Sequence, residues 1–172
     1  MKTMKKIVVV AEHSKKFTRK GEADVIELRD GRLLLVLMEF SGDGSDYATT
    51  RFAAIESEDG GITWKNHRVV TDTLPGDVNV YSPNLIRGQD DSILLMFMRK
   101  HGAEPEKNTQ YIWKSTDEGK TFVPFTEFSQ NGRHSLCNAV IKRLSSGRLL
   151  IPFTEVNGLS SGPYDGVVMF SD

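Results

Sequence analysis

The sequence lacks the features that would indicate a disulfide framework, a membrane span or a nucleic-acid surface. Its 172 residues include a single cysteine, Cys137, which excludes an intramolecular disulfide. The formal net charge is only −1, so there is no electrostatic footprint for nucleic acid or an anionic membrane. The apolar run from Ile7 to Ala11 is too short for a transmembrane helix or a signal-peptide core. We therefore predict a soluble, cytoplasmic protein without nucleic-acid or membrane partners.

Signals for metals, cofactors and helices are also scarce. The four histidines and one cysteine show no metal-ligand spacing. Residues 43–46 resemble part of a calcium loop, but they lack the alternating oxygen donors and the closing glutamate of an EF-hand. No glycine-rich phosphate loop precedes a helix, and no segment keeps a helical apolar period over three turns. We predict no metal, no cofactor and almost no helix.

What the sequence does contain is an eight-residue pattern that occurs twice and begins a third time. Residues 57–64 read S-x-D-x-G-x-T-W, residues 115–122 read S-x-D-x-G-x-T-F, and Ser171-Asp172 could open another copy. The copies begin at residues 57, 115 and 171, which are 58 and 56 residues apart. A nearly constant period of this length is typical of repeat architectures. Because Ser and Asp side chains bond the backbone amides of turns, we interpret the pattern as a turn that carries no chemistry.

Short apolar runs surround each copy of the pattern. They are four to eight residues long and bounded by Gly, Asp, Asn, Ser or Pro, which favours strands over helices. The runs cover residues 23–28, 32–38, 50–55 and 63–70, then 79–86, 92–98, 110–114 and 121–125, then 138–144, 148–153 and 165–170. Four antiparallel strands per repeat predict β-propeller blades.

The predicted fold class is therefore all-β, a partial β-propeller of about three four-stranded blades. We place the blades at residues 21–70, 79–126 and 134–172, the last incomplete, within a single fragment 1–172. Six blades would need about twice this length, so the chain corresponds to half of a six-bladed ring. Open apolar faces would then associate, either in a homodimer or with further C-terminal blades.

The eight-residue pattern resembles the Asp-box, or bacterial neuraminidase (BNR) repeat, of sialidase-type six-bladed propellers. The runs at 30–35, 51–64 and 145–152 are similar to those of this family, and the resemblance extends from about residue 21 to 172. It implies a sialidase-like glycoside hydrolase that acts on terminal sugars of glycans. Asp-boxes also occur in proteins that are not sialidases, so the alternative is a non-catalytic propeller module that binds glycan or protein.

The chain departs from the sialidase pattern in two places. Arg19-Lys-Gly-Glu22 stands where the family carries an Arg-Ile-Pro signature, and none of the four tyrosines stands where the nucleophilic tyrosine belongs. A complete sialidase site is therefore not expected within these 172 residues.

Blade geometry predicts where a site would lie. The starts of the first strands and the ends of the second strands share one face with the long connections 41–49, 71–78, 99–109, 127–133 and 155–164. The turns built by the repeated pattern lie on the opposite face. Long loops carry function more often than tight turns do, so we expect the site at the loop-rich face near the axis.

Polar residues concentrate at that face and supply the candidates. Glycoside hydrolysis needs a carboxylic acid for the leaving oxygen, whereas sugar hydroxyls and carboxylates need amide, histidine and arginine partners. The predicted catalytic residues are Glu22, Glu39 and Asp46, and the predicted substrate-binding residues are Arg19, Arg99, Asn79, His134 and Asn138. Each has a structural alternative: Glu39 interrupts an apolar run and is either paired with an arginine or exposed at the rim.

Overall fold

The computed structural model describes residues 7–102, 108–128, 134–156 and 163–171, which form strands and connecting turns without a helix. The strands are β1 (Phe17–Glu27), β2 (Leu33–Ser41), β3 (Thr50–Ser57), β4 (Lys65–Thr71), β5 (Asn79–Arg87), β6 (Ile93–Lys100), β7 (Asn108–Ser115), β8 (Val123–Glu127), β9 (His134–Leu136), β10 (Lys142–Arg143), β11 (Leu149–Val156) and β12 (Tyr164–Phe170).

The strands form three antiparallel sheets in chain order, which we name blades one, two and three. Blade one is β1-β2-β3-β4, blade two is β5-β6-β7-β8, and blade three is β10-β11-β12 with β9 also paired to β11. The predicted all-β, partial β-propeller fold is confirmed. The division of the whole chain into one fragment with three blade boundaries stays a prediction, and residues 1–6 and 172 lie outside the described ranges.

Two predicted strands differ from those in the structure. The first strand begins at Phe17 instead of residue 23, and of the strand predicted at 138–144 only β10 is a strand, while β9 precedes the predicted range. In both cases, the sequence pattern failed to show that the inner strand continues past an irregularity towards the loop-rich face.

The blades pack face to face through their second strands. Successive side chains of these strands point to opposite faces, and because both sets are mostly apolar, both faces of the strands are buried. Leu34, Val36 and Met38 pack with Leu95 and Phe97 between blades one and two. A second cluster joins blades two and three, with Met96 against Leu149 and Ile151. Blade three turns its other face outward, where Val168 and Phe170 are each 55% exposed. The association expected from the sequence stays a prediction.

The repeated eight-residue pattern builds the turn between the third and fourth strands of blades one and two. In the first copy, the hydroxyl of Ser57 accepts a bond from the Gly61 amide at 2.9 Å. The carboxylate of Asp59 accepts bonds from the amide and hydroxyl of Thr63 at 2.8 and 2.6 Å, which hold the pKa of Asp59 below its usual range. The second copy repeats these contacts at residues 115–121. The predicted turn-building role is confirmed.

The turn glycine of the second copy also touches blade one. Gly119 has φ +77°, and a Cβ built there would lie 2.3 Å from Cδ2 of the fully buried Leu34. Gly31 has a similar φ of +83°, but its Cβ position is open. We expect Gly119→Ala to lower the free energy of unfolding by about 1–3 kcal/mol more than Gly31→Ala, because only the first substitution overpacks the core. Urea unfolding of both variants checks this, and equal losses would contradict it.

Candidate functional site

The first strand of each blade, which we call the inner strand, is irregular near its start at the loop-rich face. These strands are β1, β5, and in blade three β9 with β10. The registers of β1 and β5 shift between Gly21 and Ala23 and between Tyr81 and Asn84, and β9 is separated from β10. A residue other than glycine adopts positive φ in each irregularity: Glu22 (44°), Ser82 (58°) and Ala139 (55°). Such bulges and strained residues concentrate at functional sites, where they redirect side chains.

A cleft of about 650 Å³ lies where these three irregularities meet. Its lining includes Glu22 and Asp46 from blade one, Tyr81 and Ser82 from blade two, and His134 and Asn138 from blade three. Four of the eight predicted site residues therefore share the cleft, namely Glu22, Asp46, His134 and Asn138. The other four, Arg19, Glu39, Asn79 and Arg99, do not line it.

Glu22 is the carboxylic acid of the cleft whose environment favours the protonated form. Its side chain is 29% exposed, and burial is the main cause that raises the pKa of Glu22 above its usual value. Arg19 opposes this effect from 3.7 Å, while the negative charge of Asp46 adds to it. A carboxyl group with a raised pKa keeps its proton to a higher pH than usual, which suits the role of a general acid.

Asp46 is held beside the cleft by contacts of its loop with β1 and β5. Nη1 of Arg19 donates to Oδ1 of Asp46 at 2.6 Å and to the carbonyl of Gly44 at 3.2 Å. The side-chain amide of Asn79 donates to the backbone carbonyl of Asp46 at 3.2 Å. Gly44 has φ +70°, and a Cβ there would lie 2.9 Å from the hydroxyl of Thr18, so the close approach requires glycine. Arg19 and Asn79 thus position the loop beside the cleft.

Glu39 lies outside the cleft, in a buried cluster of charges. Its side chain is 1% exposed and accepts bonds from Lys20, from Nε of Arg51 at 2.6 Å and from Nε2 of His67 at 2.9 Å. Burial alone would raise the pKa of Glu39, but these three bonds outweigh it and lower the pKa to about 2. The structure thus shows the structural alternative, pairing with an arginine, and the catalytic role of Glu39 stays a prediction.

Arg99 is also buried and paired within the protein interior. Its side chain is 3% exposed, and its guanidinium pairs with the carboxylate of Asp77 and donates to the hydroxyl of Thr71 at 3.1 Å. Because Thr71 ends β4, Arg99 links blade two to blade one. Arg99 does not itself line the cleft, although its chain neighbours Met98 and Lys100 do, and its predicted substrate-binding role stays a prediction.

His134 and Asn138 form the blade-three wall of the cleft. The ring of His134 packs edge-on against Phe153, and its Nε2 lies 3.7 Å from the carboxylate of Glu155. The side-chain amide of Asn138 donates to the carbonyl of Ala23 at 3.2 Å, which connects blade three back to the bulge that carries Glu22. Asn138 therefore also joins blade three to blade one.

The predicted set omitted Tyr81, which lines the cleft and directly precedes the strained Ser82. Burial raises the pKa of Tyr81 to about 12, so its hydroxyl stays protonated and can donate a hydrogen bond. Within the described residues, no group of three or more His, Cys, Asp or Glu side chains could hold a metal ion. The same residues include no helix with the length and apolar character needed to cross a membrane.

Comparisons with known proteins bear on the fold. Neither a protein-family model nor a curated protein sequence matches the chain. Among solved structures, it is similar to a protein of unknown function from Dyadobacter fermentans, with 18% identity and a TM-score of 0.73 over 96% of this chain and 54% of that protein. It is also similar to the GH93 α-L-arabinofuranosidase of Fusarium graminearum, with 16% identity and a TM-score of 0.67 over 95% and 49%.

A third similar structure is the NanB sialidase of Streptococcus pneumoniae, with 9% identity and a TM-score of 0.69 over 95% of this chain and 46% of the sialidase. The chain thus spans about half the length of each of these three proteins. At these identities the similarity shows the fold alone, a sialidase-like β-propeller architecture.

Proposed function

We propose that the protein is a glycoside hydrolase of the sialidase-like propeller type that acts on terminal sugars of glycans. The observation that carries the proposal is Glu22, a carboxylic acid with a raised pKa on a strained bulge inside a cleft between three blades. A general acid of this kind protonates the leaving oxygen when a glycosidic bond breaks. The identification of the two repeated turns as Asp-boxes belongs to the same proposal.

The other cleft residues suit sugar binding. Tyr81 stays protonated and donates to a hydroxyl, while Ser82 and Asn138 present groups that both donate and accept. In the proposed reaction these groups orient the ring, and Glu22 transfers its proton to the departing oxygen as that bond breaks. The oxygen of a water molecule forms the new bond to the anomeric carbon, and the proton that this water loses restores the acid. Asp46 remains beside Arg19 as a fixed negative charge. The group that activates the nucleophile is not assigned to a described residue.

A second candidate function is a non-catalytic module that binds glycan through the same cleft. It is favoured by the ion pairs of Glu39 and Asp46, which engage two of the three carboxylates predicted as catalytic. In this alternative Glu22 accepts hydrogen bonds from sugar hydroxyls and transfers no proton.

A panel of fluorogenic glycosides distinguishes the two functions. The panel includes arabinofuranosides, hexopyranosides and sialosides, and the same sugars are tested for binding by saturation-transfer NMR. We expect release of the fluorophore from at least one glycoside. Binding of sugars without any release would contradict the hydrolase and favour the binding module, whereas neither binding nor release would contradict both.

A further inference from the structure

We propose that the cleft takes a sugar without a carboxylate and that Asp46 sets this specificity by pairing with Nη1 of Arg19. The inference rests on the proposed function, for which it names the substrate class. It follows from three features of the described residues: the pairing of the arginines, the charges in the cleft, and the way Arg19 is held.

The arginines predicted as carboxylate partners are already paired with protein carboxylates. Arg19 bonds Asp46 at 2.6 Å, and Arg99 pairs with Asp77 inside the interface of blades one and two. A sugar carboxylate is recognised best by the planar fork of a guanidinium, which forms two parallel hydrogen bonds. Nη1 of Arg19 already donates to Asp46 and to the carbonyl of Gly44, so a sugar carboxylate can use the fork of Nη1 and Nη2 only if it displaces Asp46. In Arg99 both Nη atoms are engaged, by Asp77 and Thr71.

The other charges of the cleft lining do not replace the paired arginines as partners for a sugar carboxylate. Besides Glu22, which holds a proton in the proposed reaction, the lining includes the carboxylate of Asp46 and the ammonium of Lys100, which lies 5.4 Å from the centre of the Tyr47 ring. An ammonium is a strongly hydrated point charge without the fork that matches a carboxylate. A carboxylate beside Asp46 would also meet repulsion between like charges. Uncharged hydroxyls avoid that repulsion and match the neutral donors and acceptors of the lining.

Arg19 is held by more than its ion pair, which makes the role of Asp46 testable. Its guanidinium lies 4.1 Å from the centre of the Phe40 ring and also donates to the carbonyl of Gly44 at 3.2 Å. Neutralising Asp46 therefore leaves Arg19 beside the cleft with part of its fork available. We expect such a variant to gain affinity for acidic sugars, a result that a purely structural ion pair would not give.

The loop also offers a matched control. Asp43 precedes Asp46 by three residues, and its carboxylate accepts a bond from the amide of Ser45 within the same loop at 3.0 Å. Asp43→Asn makes the same change of net charge as Asp46→Asn without touching Arg19. Thermal unfolding of both variants verifies that they fold.

The experiment measures binding of matched sugars to the wild type, Asp46→Asn and Asp43→Asn by NMR titration. The probes are methyl β-D-glucuronide with methyl β-D-glucoside, methyl α-D-galacturonide with methyl α-D-galactoside, and methyl N-acetylneuraminide. We expect Asp46→Asn to bind at least one acidic probe at least about tenfold more tightly than the wild type, with little change in the neutral partner and none in Asp43→Asn.

Two results would overturn the inference: no acidic probe binds Asp46→Asn more tightly than the wild type, or Asp43→Asn shows the same gain. Its failure is separable from failure of the proposed function. If Asp46→Asn gains affinity for an acidic sugar but the wild type hydrolyses no glycoside, the proposed specificity stands and the hydrolase proposal is contradicted. Efficient hydrolysis of sialosides by the wild type would contradict the proposed specificity but would support the proposed hydrolase activity.

Discussion

Replacement of Glu22 by glutamine is expected to slow glycoside hydrolysis about 10²- to 10⁴-fold, the contribution typical of a general acid. The amide keeps the size and hydrogen-bonding capacity of the carboxyl group, but it has no proton of comparable acidity to give to the leaving oxygen. Because the group must be protonated to act, the wild-type rate should fall as pH rises through the raised pKa of Glu22. That limb of the pH profile should be missing from Glu22→Gln.

The same strand provides the control for this variant. Glu27 ends β1 on the side away from the cleft, and its side chain is exposed. Glu27→Gln makes an identical chemical change and should keep the wild-type rate and pH profile. Equal activity of Glu22→Gln and wild type, with both proteins folded, would remove Glu22 from the catalytic assignment.

Replacement of Glu39 by glutamine is expected to lower the free energy of unfolding by about 3–5 kcal/mol, the usual cost of breaking a buried ion pair. The substitution leaves the positive charges of Lys20 and Arg51 around a neutral amide in a buried position. Chemical unfolding at neutral pH measures the effect, with Glu27→Gln again as the exposed control. A loss below about 1 kcal/mol would contradict the structural role that we assign to Glu39.

The pH dependence of stability gives an independent test of the same cluster. The pKa of Glu39 is lowered from 4.5 to about 2, so its charged form is favoured in the folded state. The corresponding stabilisation, about 3 kcal/mol, is fully present above the unfolded-state pKa and is lost as pH falls from about 4.5 towards 2. Glu39→Gln should lose this contribution, so its free energy of unfolding should fall less than that of the wild type over this pH range. An equal fall in both proteins would contradict the assignment.

The repeat, the strands and the motif turns could be predicted because their causes are local. The bonds of Ser57 and Asp59 reach only three or four residues along the chain, so the residue pattern contains nearly all of the information. The divided inner strand of blade three was missed because its irregularity depends on a neighbour. The amide of Val140 donates to Asn84 of blade two at 2.9 Å, a partner that local sequence does not show.

The candidate site was predictable as a location more than as a set of residues. Strand order placed Glu22, Asp46, His134 and Asn138 at the loop-rich face, where they line one cleft. The partner of a charged side chain was not predictable. Arg51 and His67 approach Glu39 from other strands of its own sheet, 12 and 28 residues along the chain.

The two glutamates predicted as catalytic therefore lie in different environments. At Glu22 the bulge turns the side chain into the cleft, where few cations oppose the effect of burial on its pKa. Glu39 stays within a regular strand pair and is surrounded by cations. The backbone irregularity distinguishes the two carboxylates, and residue type and spacing do not reveal it.

The most direct measurement of the central assignment compares wild type and Glu22→Gln on two glycosides with the same sugar. One carries an alkyl leaving group that departs only when protonated, and the other carries a dinitrophenyl group that departs without a proton. A general acid at Glu22 predicts a large loss of rate on the first substrate and a small loss on the second. Equal losses on both substrates would contradict proton donation by Glu22 and with it the proposed hydrolytic site.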